Sequence, residues 1–218
     1  SGGIGVRHGV LLQAGVAFNG VAKGVNNFFC VELSNGIGCS LFCNGRVVSG
    51  ANGVAGELGH TVVDTIEPDD APCYCGKPGC VEQRTSFLAL EQNIRAALDR
   101  GVSSLLRADY QPGRPLSVQQ IRAALNQGDR LCRHYVSLMT QRLGVAIANA
   151  VNLLNPELVV LYGFMVELGD FFLERLETAI RENTLVLSNQ FEIRVSRTLE
   201  RILQLGAIGE RFFSHLKI

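Results

Sequence analysis

A chain of 218 residues with 20 Lys+Arg against 20 Asp+Glu has no formal net charge, and 47% hydrophobic with 18% charged residues is a globular composition, neither disordered nor fibrous. Without a clustered Lys/Arg run these residues offer no electrostatic footprint for nucleic acid. No apolar run approaches the ~18 residues of a membrane span and no basic stretch leads into an apolar signal core, so a soluble cytoplasmic protein is the expectation.

In chain order, residues 1–63 hold 14 of the 24 glycines, no aspartate, and only Arg7, Lys23, Glu32, Arg46 and Glu57 as charged side chains, which suits buried strands joined by tight turns. Phe28 to Leu33 reads as a strand. Cys39–Cys43 pairs with Arg46–Val48 around Asn44-Gly45, a dipeptide that tolerates positive φ, and a β-meander follows. Between the strands, Ser34-Asn35-Gly36-Ile37-Gly38 is a turn whose backbone amides can approach a ligand closely.

From Val81 to Asp99 apolar residues Phe87, Leu90, Ile94 and Leu98 recur at helical spacing until the stretch around Gln111–Pro115 breaks the pattern. Ser117 with Gln120 is a capping-box signature opening a short helix that Gly128 closes. Asp129 caps a long helix whose apolar face runs from Leu131 to Leu154, stopped by Asn155-Pro156. Leu158–Leu161 is then a β-branched strand, Gly169–Asn183 an amphipathic helix, Phe191–Val195 an alternating strand and Leu203–Leu216 a closing helix. This alternation predicts an α/β fold.

The cysteines at 30, 39, 43 and 132 sit in apolar runs and read as core thiols, and His8, His134 and His215 have no partner motif. The other three cysteines cluster. Gly56-Glu57-Leu58-Gly59-His60 is followed, after twelve intervening residues, by Cys73-Tyr74-Cys75-Gly76-Lys77-Pro78-Gly79-Cys80-Val81-Glu82. One imidazole and three thiols make a complete tetrahedral Zn²⁺ set, so structural zinc on His60, Cys73, Cys75 and Cys80 is the expectation. Reduced core thiols, a disulfide or a catalytic zinc are the alternatives, the last disfavoured because four protein ligands leave no position for water. Glu57 lies three residues before His60 and Glu82 two after Cys80. Zinc would anchor both carboxylates for bidentate hydrogen bonds to neighbouring hydroxyls such as a sugar presents; otherwise they are solvated surface acids.

These two motifs resemble the signature of the ROK family, which groups bacterial sugar-responsive repressors with sugar kinases on an actin-like, hexokinase-type (ribonuclease H-like) fold. The resemblance extends back through Val31–Gly38, Asn44-Gly45 and Gly50–Gly56, and forward through Ser86, Gly128-Asp129, Leu154–Val160 and Leu205–Ala207. It implies that residues 21–218 are the C-terminal lobe, including a zinc module at 56–82, and that residues 1–20 are a remnant of N-terminal lobe strands. By the same resemblance, His60, Cys73, Cys75 and Cys80 correspond to the zinc ligands, and Glu57, His60 and Glu82 to residues around the sugar hydroxyls. His60 would serve both, with one ring nitrogen on the metal and the other towards the ligand.

A kinase of this family has an aspartate base upstream of the second phosphate loop, a glycine-rich loop around the ATP phosphates and further glycines on the adenosine side. In this chain no aspartate precedes Asp64. The phosphate loop has become Ser34–Ser40, leaving Asn35, Gly36 and Gly38 as its degenerate form, and the adenosine-side stretch reads Leu161-Tyr162-Gly163-Phe164. At most Gly3-Ile4-Gly5-Val6 remains of an N-terminal phosphate motif. Loss of the base alone removes a typical ~10²–10⁴-fold contribution to catalysis.

The resemblance therefore implies the effector-binding and oligomerisation domain of a sugar-responsive transcriptional regulator, not an enzyme. It would bind a monosaccharide or sugar phosphate, self-associate, and reach DNA through a module absent from these residues. The alternatives are an ATP-dependent, glucokinase-like sugar kinase and a zinc-stabilised assembly module without a ligand.

Overall fold

The computed structural model describes residues 21–66 and 72–197. The expected strands within 1–20, the acidic cluster at 67–70 and the closing helix at 203–216 lie outside them. Strand β1 (Phe28–Leu33) runs antiparallel to β2 (Ile37–Cys43), which turns through Asn44-Gly45 into β3 (Arg46–Val48). Asn44 and Gly45 both have positive φ, 50° and 72°, as the tight hairpin demands.

On its other edge β1 pairs in parallel with β4 (Leu158–Tyr162), and β4 in parallel with β5 (Glu192–Ser196). The sheet order is β3-β2-β1-β4-β5, a meander joined to two parallel crossovers. Every residue of β4 is buried, as a central strand covered on both faces requires.

The helices follow the sequence pattern with one exception. The expected continuous helix over 81–99 is split into α1 (Val81–Thr85) and α2 (Phe87–Asp99) at Ser86. Ser86 is extended, its hydroxyl accepts the Ala89 N–H, and the next amide, Phe87 N–H, donates to Ser34 O at 3.0 Å. A local cap and a long-range bond to the β1–β2 turn together outweigh helix continuity. α3 (Val118–Asn126) carries the Ser117/Gln120 capping box. The 25-residue α4 (Arg130–Leu154) is capped by Asp129 and closed by Asn155 in the left-handed conformation, and α5 (Asp170–Asn183) follows β4.

One face of the sheet, with Phe29, Val31, Leu33, Val159 and Leu161, packs on α2, α4 and α5 through Ile94, Leu98, Leu143, Ile147, Val151, Phe172 and Leu176 in a single buried cluster. Truncating a fully buried member such as Ile147 to alanine costs about 2–5 kcal/mol. The opposite face carries Phe28, Cys30, Leu158, Val160 and Tyr162 over Ala22. The core thiols are as expected at Cys30 and Cys132, both wholly buried, whereas Cys39 and Cys43 are half-buried. Desolvation holds the Cys30 and Cys132 thiols well above the ordinary range and pushes Cys39 up to about 12. No helix among the described residues, the long α4 included, is long and apolar enough to cross a membrane.

Candidate metal and sugar site

The segment Gly56–His60 lies backbone-to-backbone on β2. A Cβ on Gly56 would stand 2.3 Å from Cys39 O, and one on Gly59 2.3 Å from Ile37 O, so both positions exclude any side chain. With that contact made, Leu58–His60 forms a single 3₁₀ turn and Leu58 is buried. Glu57 and His60 then emerge on one side, as the three-residue spacing requires, with Glu57 Oε2 3.7 Å from His60 Nε2.

The cysteine knuckle closes on the same turn. Cys73 N–H donates to Lys77 O and Gly76 N–H to Cys73 O, each at 2.8 Å, while Val81 N–H donates to Thr61 O and Val62 bridges Cys80. His60, Cys73, Cys75 and Cys80 thereby place one ligand atom each within 4.8 Å of all the others. Cys73 Sγ is 3.7 Å from His60 Nδ1, and Cys75 Sγ is 3.6 Å from Cys80 Sγ. Zn–S bonds of about 2.3 Å and Zn–N bonds of about 2.0 Å in a tetrahedron imply ligand separations of about 3.5–3.8 Å, which these two pairs meet, so the cluster could hold a Zn²⁺ ion. Cys73 and Cys80 are buried and Cys75 is exposed. The Lys77 N–H lowers the Cys75 thiol, whereas burial pushes Cys80 up to about 12. A bound cation would favour the thiolate at every sulfur.

Glu82 sits in the first turn of α1, directly after the knuckle. Its Oε2 accepts Ile37 N–H at 2.9 Å and lies 2.8 Å from the Cβ position of Gly36, joining the knuckle to the turn between β1 and β2. In that turn Asn35 is exposed and Gly36 is half-buried. Gly38 is not part of it, because β2 already begins at Ile37 and Gly38 pairs with Glu32 in the ladder. The structure thus brings Glu57 together with the four metal-ligand candidates His60, Cys73, Cys75 and Cys80, sets Glu82 beside the turn, and places Gly38 in the β1–β2 ladder.

Three features went unread in the sequence. Tyr74, between two cysteines of the set, places its hydroxyl 2.7 Å from His60 Nε2. Its phenol is raised above the ordinary value first by desolvation and then by the charges of Glu82 and Glu57. Glu32, a lone acid in an apolar strand, accepts the Ser34 hydroxyl at 3.2 Å and the buried Tyr162 hydroxyl at 3.3 Å, so a carboxylate lies under the turn at the C-terminal ends of β1 and β4. Asp64 accepts Arg142 Nε at 2.8 Å and an Arg84 guanidinium nitrogen at 3.0 Å, fastening the segment after His60 to α1 and α4. The Arg142 hydrogen bond, followed by the Thr65 N–H, holds the Asp64 carboxyl below the usual range. On the adenosine side, Phe164 packs edge-on against Phe87 with ring centroids 5.2 Å apart.

A family model described as the ROK family matches residues 8–208. The chain belongs to the ROK family. Among curated relatives of this ROK chain, a glucokinase of Halalkalibacterium halodurans is 32% identical over 163 residues, covering 75% of the chain and 49% of the relative. The DNA-binding transcriptional dual regulator NagC of Escherichia coli K12 is 32% identical over 166 residues, covering 76% of the chain and 39% of the relative. A crystal structure of a ROK family transcriptional regulator, homologous to the Escherichia coli MLC protein, superimposes with a TM-score of 0.76 at 27% identity, over 93% of the chain and 52% of that structure. The ROK chain has the actin-like, hexokinase-type α/β fold with a mixed sheet, and spans half or less of the length of these curated relatives. Both repressors and glucokinases stand among them.

Proposed function

We propose that this chain is the effector-sensing lobe of a sugar-responsive ROK regulator. In this reading Glu57, His60 and Glu82 hold the hydroxyls of a monosaccharide or sugar phosphate. His60, Cys73, Cys75 and Cys80 hold a structural zinc that supplies no chemistry beyond fixing the His60 tautomer and the knuckle. Residues outside this chain contact DNA, and the lobe self-associates. The observation that carries the choice of regulator over kinase is the Glu32 carboxylate beneath the Ser34–Gly36 turn, bound to Ser34 and Tyr162. Glycine-rich turns at the ends of parallel strands receive phosphate through backbone amides. Here the Ile37 amide is already given to Glu82 and a second carboxylate lies below, so a nucleotide phosphate meets negative charge.

Asp64 supports the same reading. It is committed to Arg84 and Arg142 with its acidity increased, the opposite of what a general base needs. Sugar binding would bridge the Glu57–His60 turn and α1, and would shift a regulator only by binding one of its two states better than the other. The relationship to a glucokinase keeps ATP-dependent sugar phosphorylation as the second reading. Calorimetric titration with a monosaccharide panel, with and without Mg-ATP, decides. Saturable sugar heat without turnover is expected. Phosphorylated sugar would establish the kinase, and silence throughout would leave an assembly module.

A further inference from the structure

Tyr74 is an exposed aromatic residue, 81% accessible, whose side chain nevertheless turns back onto the site. Its ring meets the His60 imidazole edge-on, with centroids 5.0 Å apart and an interplanar angle of 77°, and its hydroxyl lies 2.7 Å from Nε2. His60 presents Nδ1 to the sulfurs, 3.7 Å from Cys73 Sγ, so Nε2 is the nitrogen that faces outward.

An imidazole with a cation on Nδ1 carries its proton on Nε2 and can only donate there. The phenol oxygen accepts that bond, and Glu57 Oε2 lies 3.7 Å from the same nitrogen. A sugar hydroxyl at this position would likewise accept from Nε2–H, with the Glu57 carboxylate near enough to receive its own O–H.

We propose that Tyr74 is an internal competitor for the effector: its hydroxyl holds the His60 Nε2 position that a sugar hydroxyl takes, and it swings into solvent when sugar binds. This rests on the sugar site proposed above. The knuckle backbone on either side is fixed by the Cys73–Lys77 and Gly76–Cys73 hydrogen bonds, so the exchange is a rotation of the Tyr74 side chain. Tyr74 then sets the effector concentration at which the lobe responds, because every binding event first breaks an internal bond.

The test is Tyr74→Phe, which keeps the exposed ring and removes only the hydroxyl. Metal-loaded wild type and variant are titrated with D-glucose, N-acetyl-D-glucosamine and D-xylose. The variant is expected to bind whichever sugar the wild type binds about three- to tenfold more tightly, the gain from abolishing one competing neutral hydrogen bond. Equal or weaker affinity in the variant overturns the competitor role and leaves the sugar site standing. A sugar-free readout accompanies it: water exchange of the His60 Nε2–H by NMR is expected to be slower in the wild type than in Tyr74→Phe, and equal rates overturn the contact. If both proteins ignore all three sugars, the sugar site falls and the competitor role with it, whatever the exchange rates.

Discussion

Glu82 accepts the Ile37 N–H at 2.9 Å, so the residue two positions after the last cysteine of the knuckle is bonded to the first residue of β2. That bond joins the metal-ligand cluster to the sheet. It also puts a carboxylate within 2.8 Å of the Cβ position of Gly36, in the turn where a nucleotide-binding relative would present bare amides.

Glu82→Gln keeps an oxygen for Ile37 N–H and removes the charge. A charge-assisted hydrogen bond to a sugar hydroxyl contributes about 1.5–3 kcal/mol, so sugar affinity is expected to fall roughly ten- to hundredfold. Thermal unfolding should change little. Calorimetry and circular dichroism on the same preparation check both, and unchanged sugar affinity removes Glu82 from the site; Glu57→Gln is read in the same way.

Gly59→Ala puts a methyl group 2.3 Å from Ile37 O, an approach no real Cβ makes. Either the 3₁₀ turn lifts off β2 or the strand shifts, at a cost of about 1–3 kcal/mol in stability. Denaturant unfolding is expected to show the loss, and metal retention should weaken because His60 rides on the same turn.

The sign of the Asp64 effect follows from its depressed folded-state pKa. Stability from the Arg84 and Arg142 pairs is present above the ordinary carboxyl value of about 4 and is lost as pH falls through the lower folded value. Asp64→Asn should therefore be less stable than wild type at neutral pH, and the difference should shrink as pH falls below about 4. Unfolding midpoints measured between pH 3 and 7 check this; a difference that widens on acidification contradicts it.

Asp129 is buried and accepts three bonds: Cys132 N–H at 2.8 Å, Leu105 N–H at 2.6 Å and the Ser104 hydroxyl at 2.9 Å. Burial raises its pKa, and these donors more than offset that, leaving the carboxyl below the usual range. Asp129→Ala uncaps α4 and leaves the Cys132 N–H, the Leu105 N–H and the Ser104 hydroxyl without this acceptor, the first of them buried. A loss of about 2–4 kcal/mol is expected by denaturant unfolding, summing a cap and an unsatisfied amide. A loss below about 1 kcal/mol would show that the helix start is held by other contacts.

The strands and most helices were legible because each carries its own local signal: Asn44-Gly45 demands a hairpin, Ser117 and Gln120 cap each other, and Asn155 in the left-handed conformation stops α4. The break at Ser86 was not, since half of its cause is the Phe87 amide reaching Ser34, fifty-three positions away in the chain. Of the site, the His60/Cys73/Cys75/Cys80 set was readable from spacing because metal ligands must converge. Tyr74 was open to the same reasoning, since alternation between two converging cysteines leaves it at the rim. Glu32 signalled itself as the one acid in Phe28–Leu33, but that it lies under the turn follows only from the parallel pairing of Glu32 with Tyr162. The Asp64 pairs with Arg84 and Arg142 join three segments and have no local signature.

The proposed function stands on one imidazole and three sulfurs holding a metal ion that fixes Glu57 and Glu82 for sugar binding. Elemental analysis of the protein as purified reads this without a ligand. About one zinc per chain is expected, lost in Cys73→Ser and Cys80→Ser, as a closed four-ligand site requires. A folded wild-type protein that carries no zinc, and takes none up when it is supplied, would overturn the proposal.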